Sequence, residues 1–260
     1  MAYFKNMYFT YNGKSSKEFN LVICNTGDTS STSIMGVERS VNEETNGFKP
    51  VFKGFNYTTP TIDITLSKMK DGYASPITEE DMHKINQWLF GDENYHAFIS
   101  DDNKDIIYYV VFTKGGKWTN GLRQGYINLS MRLDSPCAYS PVRHHKYKVK
   151  GSKTFEITCK NNVGKFIEPD IEFKINSGDS IIINNTTTGD RMEFAKLPTN
   201  THLYCYNEDM KQIICENDSN FNARPHFNKQ WLKLAYGKNV ITITGDCDID
   251  IITQDKIALQ

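Results

Sequence analysis

In TIDITLS (61–67), Ile62, Ile64 and Leu66 take one side of the chain while Asp63 and Thr65 take the other. The same period of two returns in YINLSMRL (126–133), at Ile171, Phe173 and Ile175, and at Ile241 and Ile243. A repeat of two puts one face of a strand on a core and the other in water, and no helix satisfies it. Because such strands need partners, the pattern constrains the chain to a mainly β architecture.

One helix interrupts the pattern, in SPITEEDMHKINQWLFGDE. Thr78 is placed to cap it, Glu79, Glu80 and Asp81 fill the positive first turn, Ile77 is placed to staple onto Met82, and Gly91 ends it. Met82, Ile85 and Leu89 make its apolar stripe, with Trp88 at the border. Strand signals surround it: Tyr8–Tyr11 before the turn Asn12-Gly13, Leu21–Cys24 before Asn25-Thr26-Gly27-Asp28, and IIYYVVF (106–112). Residues 25–33 read as an exposed loop or arm. The first half is therefore an α+β domain, one helix on a β-sandwich.

A chain of 260 residues exceeds the usual single core, and 38% hydrophobic residues supply two modest ones. DSPCAYSP, with Pro136 and Pro141 around a small polar segment, marks the seam, giving domains 1–140 and 141–260. RHHKYKVKGSK then reads as a solvated basic linker, whose adjacent His144 and His145 make a poor metal pair. From Pro169 onward turn signals recur every ~8–12 residues, the spacing of a β-sandwich. They fall at 176–179, at 184–190 and at Asn207-Glu208-Asp209. At 241–251 a hairpin through the loop Thr244-Gly245-Asp246 sets Ile243 opposite Cys247 and Ile241 opposite Ile249. The aspartates at 246, 248 and 250 then fall on a wet face.

Much chemistry is excluded. A net charge of −1 gives no general pull toward nucleic acid or an anionic membrane. MAYFKNMYFTYNGK lacks the features of a secretory signal and no long apolar run spans a bilayer, so synthesis in the cytoplasm is expected and the N-x-S/T sites carry no glycan. Six cysteines without a C-x-x-C pair read as reduced core residues. GGKWTNG lacks the ending of a phosphate loop, and neither H-E-x-x-H nor G-x-S-x-G occurs. The aspartates lack the glycine and distal glutamate of a calcium loop. No catalytic, cofactor-binding or metal-ligating residue is nominated, and the chain is expected not to be an enzyme.

Two features remain. VERSVNEETNGFKPVFKGFNY carries Phe48, Phe52, Phe55 and Tyr57 among glycines and lysines, with little regular structure to bury them. They either pack on a neighbouring subunit or fold as a hairpin onto their own sheet. Trp231 either stacks on a sugar or, with Leu232 and Leu234, covers the open end of the second sandwich; the second explains its neighbours.

YNGKSSKEFNLVI, WLFGDENYHAFISDD, GYINLSMRLDSPCAYSP, PDIEF, IIINNTTTGDRMEF, LYCYNEDMKQII and FNKQWLKLAYGKNVITITG together resemble the distal tail proteins of long-tailed bacteriophages, a siphovirus-type component of the tail and baseplate hub. The likeness covers nearly the whole chain; SPCAYSP and the closing W-L-x-L-x-x-G-x-N are its sharpest parts. It implies an N-terminal ring-forming domain, typically hexameric, and a C-terminal galectin-like β-sandwich. It implies a structural virion protein joining the tail tube to the tail tip, hub, tape-measure protein and receptor-binding or baseplate proteins in host attachment. DNA would pass without specific binding. No catalytic residue carries over. The alternative is a carbohydrate-binding module for bacterial cell-wall saccharide, and a wall hydrolase is the weakest reading.

Overall fold

The computed structural model describes residues 8–24, 39–119, 125–207 and 211–259. The expected turn at 25–28, the loop at 25–33 and the tip residues Glu208 and Asp209 lie outside them, as does the end of GGKWTNG. The chain is mostly β, with one α-helix among the described residues and two β-sheet domains. One unit runs up to Tyr139 and takes in Ala258, and the other spans Ser140–Ile257.

In the first unit the elements are β1 (Phe9–Tyr11), β2 (Lys14–Ser15), β3 (Leu21–Ile23), β4 (Arg39–Asn46), β5 (Lys49–Tyr57), β6 (Thr61–Lys70), β7 (Tyr73–Ala74), α1 (Glu79–Phe90), β8 (His96–Ser100), β9 (Tyr108–Thr119), β10 (Gly125–Leu133) and β11 (Ala138–Tyr139). Eight of the strands form one antiparallel sheet in the order β2-β1-β8-β9-β10-β6-β3, with β7 beside β6. The period of two sets its register. Ile62, Ile64 and Leu66 lie opposite Met131, Leu129 and Ile127, and all six are buried. On the reverse face Asn128 accepts from Thr65 at 3.0 Å and Asp63 from Ser130 at 2.6 Å.

Helix α1 begins as its sequence requires. The Thr78 hydroxyl accepts from the Asp81 amide at 3.1 Å while the Asp81 carboxylate accepts from the Thr78 amide at 2.8 Å, a reciprocal capping box. Lys68 adds an ion pair to the same carboxylate at 2.6 Å. Trp88, at the border of the stripe, is buried as well. It stacks on Phe19 at 4.3 Å and Phe9 at 5.7 Å, and its indole N–H donates to the Tyr11 carbonyl at 3.0 Å. Glycine in GGKWTNG serves this packing, since a Cβ on Gly115 would stand 3.0 Å from the Phe90 ring and 3.1 Å from Leu129.

The second unit contains β12 (Arg143–Cys159), β13 (Phe166–Ile167), β14 (Asp170–Asn185), β15 (Asp190–Phe194), β16 (His202–Tyr206), β17 (Gln212–Cys215), β18 (Leu234–Ala235), β19 (Gly237–Thr253) and β20 (Lys256–Ile257). Six of these form an antiparallel sheet, ordered β12-β19-β14-β16-β17 with β15 beside β14. Three expectations are corrected here. The segment expected to be a basic linker is β12, a strand of 17 residues. The expected hairpin at 241–251 is the single strand β19, paired with β12 along its whole length. The turn expected at 176–179 is a bulge inside the continuous strand β14.

One physical reason covers all three. Gly151 and Gly245 face each other in register, with φ of +80° and +143°, and the β14 bulge spans Ser177 to Ile182 beside them. There β12, β19 and β14 fold back together. Tyr147 and Phe155 are eight residues apart, which would separate them by about 26 Å on a straight strand. Their rings instead stack at 3.6 Å. Arg143 and Cys159, the two ends of β12, meet one buried carboxylate: Arg143 pairs with Asp255, and the Cys159 thiol donates to it at 3.0 Å. The folded sheet encloses Ile171, Phe173, Ile183, Phe194, Ile241, Ile243, Cys247, Ile249 and Ile251 in one core. All six cysteines are free, and burial pushes the Cys159 and Cys247 thiols up to about 12.

Two outcomes are expected. In Gly245→Ala the new Cβ meets the Ser180 carbonyl at 2.9 Å in a left-handed backbone, whereas at Gly151 only the backbone objects. Urea denaturation should show a loss of about 3 kcal/mol for the first and about 1 kcal/mol for Gly151→Ala. For Asp81, burial alone would raise the carboxyl, but Lys68 and the Thr78 amide and hydroxyl outweigh it and hold the group at about 2. Its folded value lies below the unfolded one near ~3.9, so its contribution is present above about pH 4 and fades as pH falls toward about 2. Asp81→Asn should flatten the thermal-melting profile of the protein over that window.

Candidate interaction surfaces

Strands β4 and β5 stand apart from the eight-stranded sheet as a two-stranded hairpin. Strict alternation would turn Phe52 away from Phe55 and Tyr57. The pairing shifts between Asn42 and Glu43, which leaves Lys53 as an extra residue beside Gly54 at φ +133°. Past this bulge Tyr57 pairs with Arg39, Phe55 with Val41 and Phe52 with Glu43, so the three aromatics share one face with Val41. Phe52 and Phe55 meet edge to face at 5.1 Å, and the Arg39 guanidinium lies 4.2 Å from the Phe55 ring centre. The other face carries Ser40, Asn42 and Glu44, with Lys53 paired to Glu44 at 3.1 Å.

The aromatic row is uncovered in the single chain. Phe52 is 58% exposed, Tyr57 56% and Phe55 38%, while Phe48 projects fully from the turn. An isolated two-stranded hairpin is at best marginally stable in water, so an amphipathic one with its apolar face bare needs a surface to lie on. Phe48, Phe52, Phe55 and Tyr57 were all nominated from sequence. Val41 and Arg39 were not, although a glycine inside a strand pattern is the signal for the bulge that recruits them.

Trp231 lies elsewhere, half-buried against the core of the second unit. It meets Phe227 edge to face at 4.8 Å, and the Lys211 ammonium, which also pairs with Glu168, sits 5.3 Å from its ring centre. Leu232 and Leu234 are completely buried. Gly237 turns the chain at φ +89°, and the buried Asn239 side chain ties the turn. It accepts from the Ala235 amide at 2.9 Å and donates to the Ala235 carbonyl at 2.8 Å. Every fixed residue of W-L-x-L-x-x-G-x-N thus has a structural task.

The outer face of the second unit carries the charges. Across β12 and β19, Lys146 lies opposite Asp250, Lys148 opposite Asp248 and Lys150 opposite Asp246. Across β19 and β14, Asp250 and Asp248 lie opposite Glu172 and Lys174. A cleft of about 330 Å³ opens over these rows and His202. The aspartates leave the core as the alternation required, although Asp250 is buried, and the cleft joins the strand expected at 171–175 to segments expected as linker and hairpin. Among the described residues no group of three or more His, Cys, Asp or Glu is placed to hold a metal ion. Among them, too, no helix is long and apolar enough to cross a membrane.

Two family profiles match the chain: one described as a phage tail protein N-terminal domain over residues 4–135, the other as a phage tail C-terminal domain over 137–253. Among curated proteins, the SPbeta prophage-derived uncharacterized protein YomH of Bacillus subtilis (strain 168) is 26% identical over 251 residues, covering 94% of this chain and 95% of that protein. Among solved structures, the SPP1 Dit (gp 19.1) protein, described as a paradigm of the hub adsorption apparatus in phages infecting Gram-positive bacteria, is similar in fold. Its TM-score is 0.64 at 12% identity, with 95% of this chain and 98% of that one covered.

Proposed function

This chain belongs to the phage tail protein family, and from that premise we propose that it is the distal-tail adaptor, a ring of copies joining the tail tube to the tail tip. It is a structural protein of the phage tail. In the proposed arrangement domain 1–140 forms the ring, hexameric by analogy with distal tail proteins. Domain 141–260 is a galectin-like β-sandwich that presents outward. The tube protein binds above, and the hub, tape-measure and receptor-binding or baseplate proteins below. DNA passes through the opening without specific contacts, in keeping with a net charge of −1.

The observation that carries this reading is the hairpin β4–β5, with its bare row Phe52, Phe55 and Tyr57. A heterologous contact, in which this hairpin lies on the next copy, buries the row once per subunit and closes a ring when the rotation permits. The shared fold of the SPP1 Dit protein supports the same architecture. Neither a substrate pocket nor turnover is needed for such a role, which is geometric.

The pair Phe52→Asp and Tyr57→Asp, made together, puts two charges on the row while the hairpin backbone keeps its pairing. Native mass spectrometry and negative-stain microscopy should show wild-type rings and dissociated, folded double variant. Gly54→Val, which disfavours the bulge at φ +133° and returns Lys53 to the ladder so that Phe52 turns to the polar face, should also weaken assembly. Unchanged rings in the folded double variant would show that the hairpin is not the contact.

A further inference from the structure

Strand β12 ends one side of the six-stranded sheet, and among the described residues only β19 pairs with it. Along an antiparallel strand alternate residues aim their N–H and C=O groups at opposite neighbours, so half of the β12 backbone faces a vacant side. Edges of this kind are commonly blunted by proline, a bulge, shortness or inward-pointing charge. From Arg143 to Lys150, ahead of the bend at Gly151, β12 has neither a proline nor a register shift. Its inward side chains next to the bend are Tyr147 and Val149, and Arg143, further back on that side, is engaged with Asp255. Lys146, Lys148 and Lys150 point the other way, to the outer face, where they leave the backbone within reach. They govern which strand can pair there.

We propose that the Arg143–Lys150 edge of β12 receives an extended acidic segment of another protein as an added strand, one in which carboxylates alternate with apolar side chains. Charge selects the acids. The lysine row is the outermost, and the aspartates of β19 lie one strand further in, about 4.8 Å away. Lys146 reaches Asp250 only at 3.8 Å, and among the described residues Lys148 and Lys150 form no ion pair. An acidic row on the vacant side sets each ammonium between two carboxylates and continues the alternation of sign that β19 and β12 begin. The inner face selects the apolar positions. Tyr147 is half-buried and stacks on Phe155 at 3.6 Å where the sheet stops, so an apolar side chain on the added strand covers exposed ring. A second copy of β12 is the wrong occupant, because it sets lysine against lysine. The contact lies wholly within the second unit and does not rest on the ring.

The test is fluorescence anisotropy of the full-length protein with a labelled synthetic peptide of about eight residues in which glutamate alternates with valine. The peptide should bind, and more weakly as salt is added. Two backbone N-methylated forms, one modified at the glutamates and the other at the valines, separate strand addition from attraction between charges. Only alternate N–H groups face β12, so one form should lose binding while the other keeps it. Lys148→Glu with Lys150→Glu should weaken the glutamate peptide about tenfold, and a lysine–valine peptide should bind this variant but not the wild type. Thermal melting checks that the variant folds. Lys148→Gln with Lys150→Gln, which sets no like charge beside Asp248 and Asp246, should give a smaller loss of the same sign. Absence of binding, equal binding by both N-methylated forms, or undiminished binding by the folded lysine variants would overturn the proposal. So would displacement of the peptide by inorganic polyphosphate at equal charge, or self-association that the lysine variants abolish. Loss of rings in the hairpin variants leaves peptide binding unchanged, so the two proposals fail separately.

Discussion

The fold of the second unit depends on a pair of glycines. Gly151 and Gly245 sit opposite one another at positive φ, and the long strands β12, β14 and β19 double back through that line together. Without the bend, a strand of 17 residues would run about 55 Å and could not enclose a core. With it, Tyr147 reaches Phe155 and the two ends of β12 converge on Asp255. The backbone polar groups remain paired through most of the turn of the sheet, which separate hairpins would not achieve. The outer face is set by the same event, since alternation continues on either side of the bend and turns Asp246, Asp248 and Asp250 away from the core, with Asp250 itself buried beneath His144.

In the first unit a glycine does the opposite work. Gly54 permits a bulge that leaves Lys53 out of the ladder, and the bulge brings Phe52 into line with Phe55 and Tyr57. Where the Gly151–Gly245 bend hides apolar residues from water, the Gly54 bulge gathers them on a face that the single chain leaves bare. The helix shows the ordinary case for comparison. Its stripe is buried at home, and Trp88 satisfies its indole N–H on the Tyr11 carbonyl.

How much of this was legible follows from the range of each interaction. The alternation of β6 and β10 and the cap at Thr78 are local, so their registers and boundaries could be read directly. The bend was not, because glycine and aspartate at 244–246 signal a reversal just as well as a fold-back. A clue was nevertheless present: Ile241, Ile243, Cys247, Ile249 and Ile251 keep one parity straight through Gly245, as a single strand requires. β12 was obscured for another reason. As an edge strand with exposed lysines it has few buried positions, and its pattern resembles that of a solvated connection. The cleft is a product of register among four strands, and no local pattern encodes it.

The two units treat their unpaired surfaces in contrasting ways, which bears on where assembly is encoded. β12 is a long edge, open to pairing by any extended segment, and it carries Lys146, Lys148, Lys150 and Lys153 along its length. Lysines on an edge oppose edge-to-edge association, because a second copy would bring like charges together. The hairpin β4–β5 carries acids and bases on its polar side but only the lone Arg39 and Glu43 among the apolar side chains of its bare face. A surface that discourages self-pairing thus occurs in the second unit and one that invites burial in the first. That contrast is the physical ground for proposing that the ring contacts lie in the N-terminal unit.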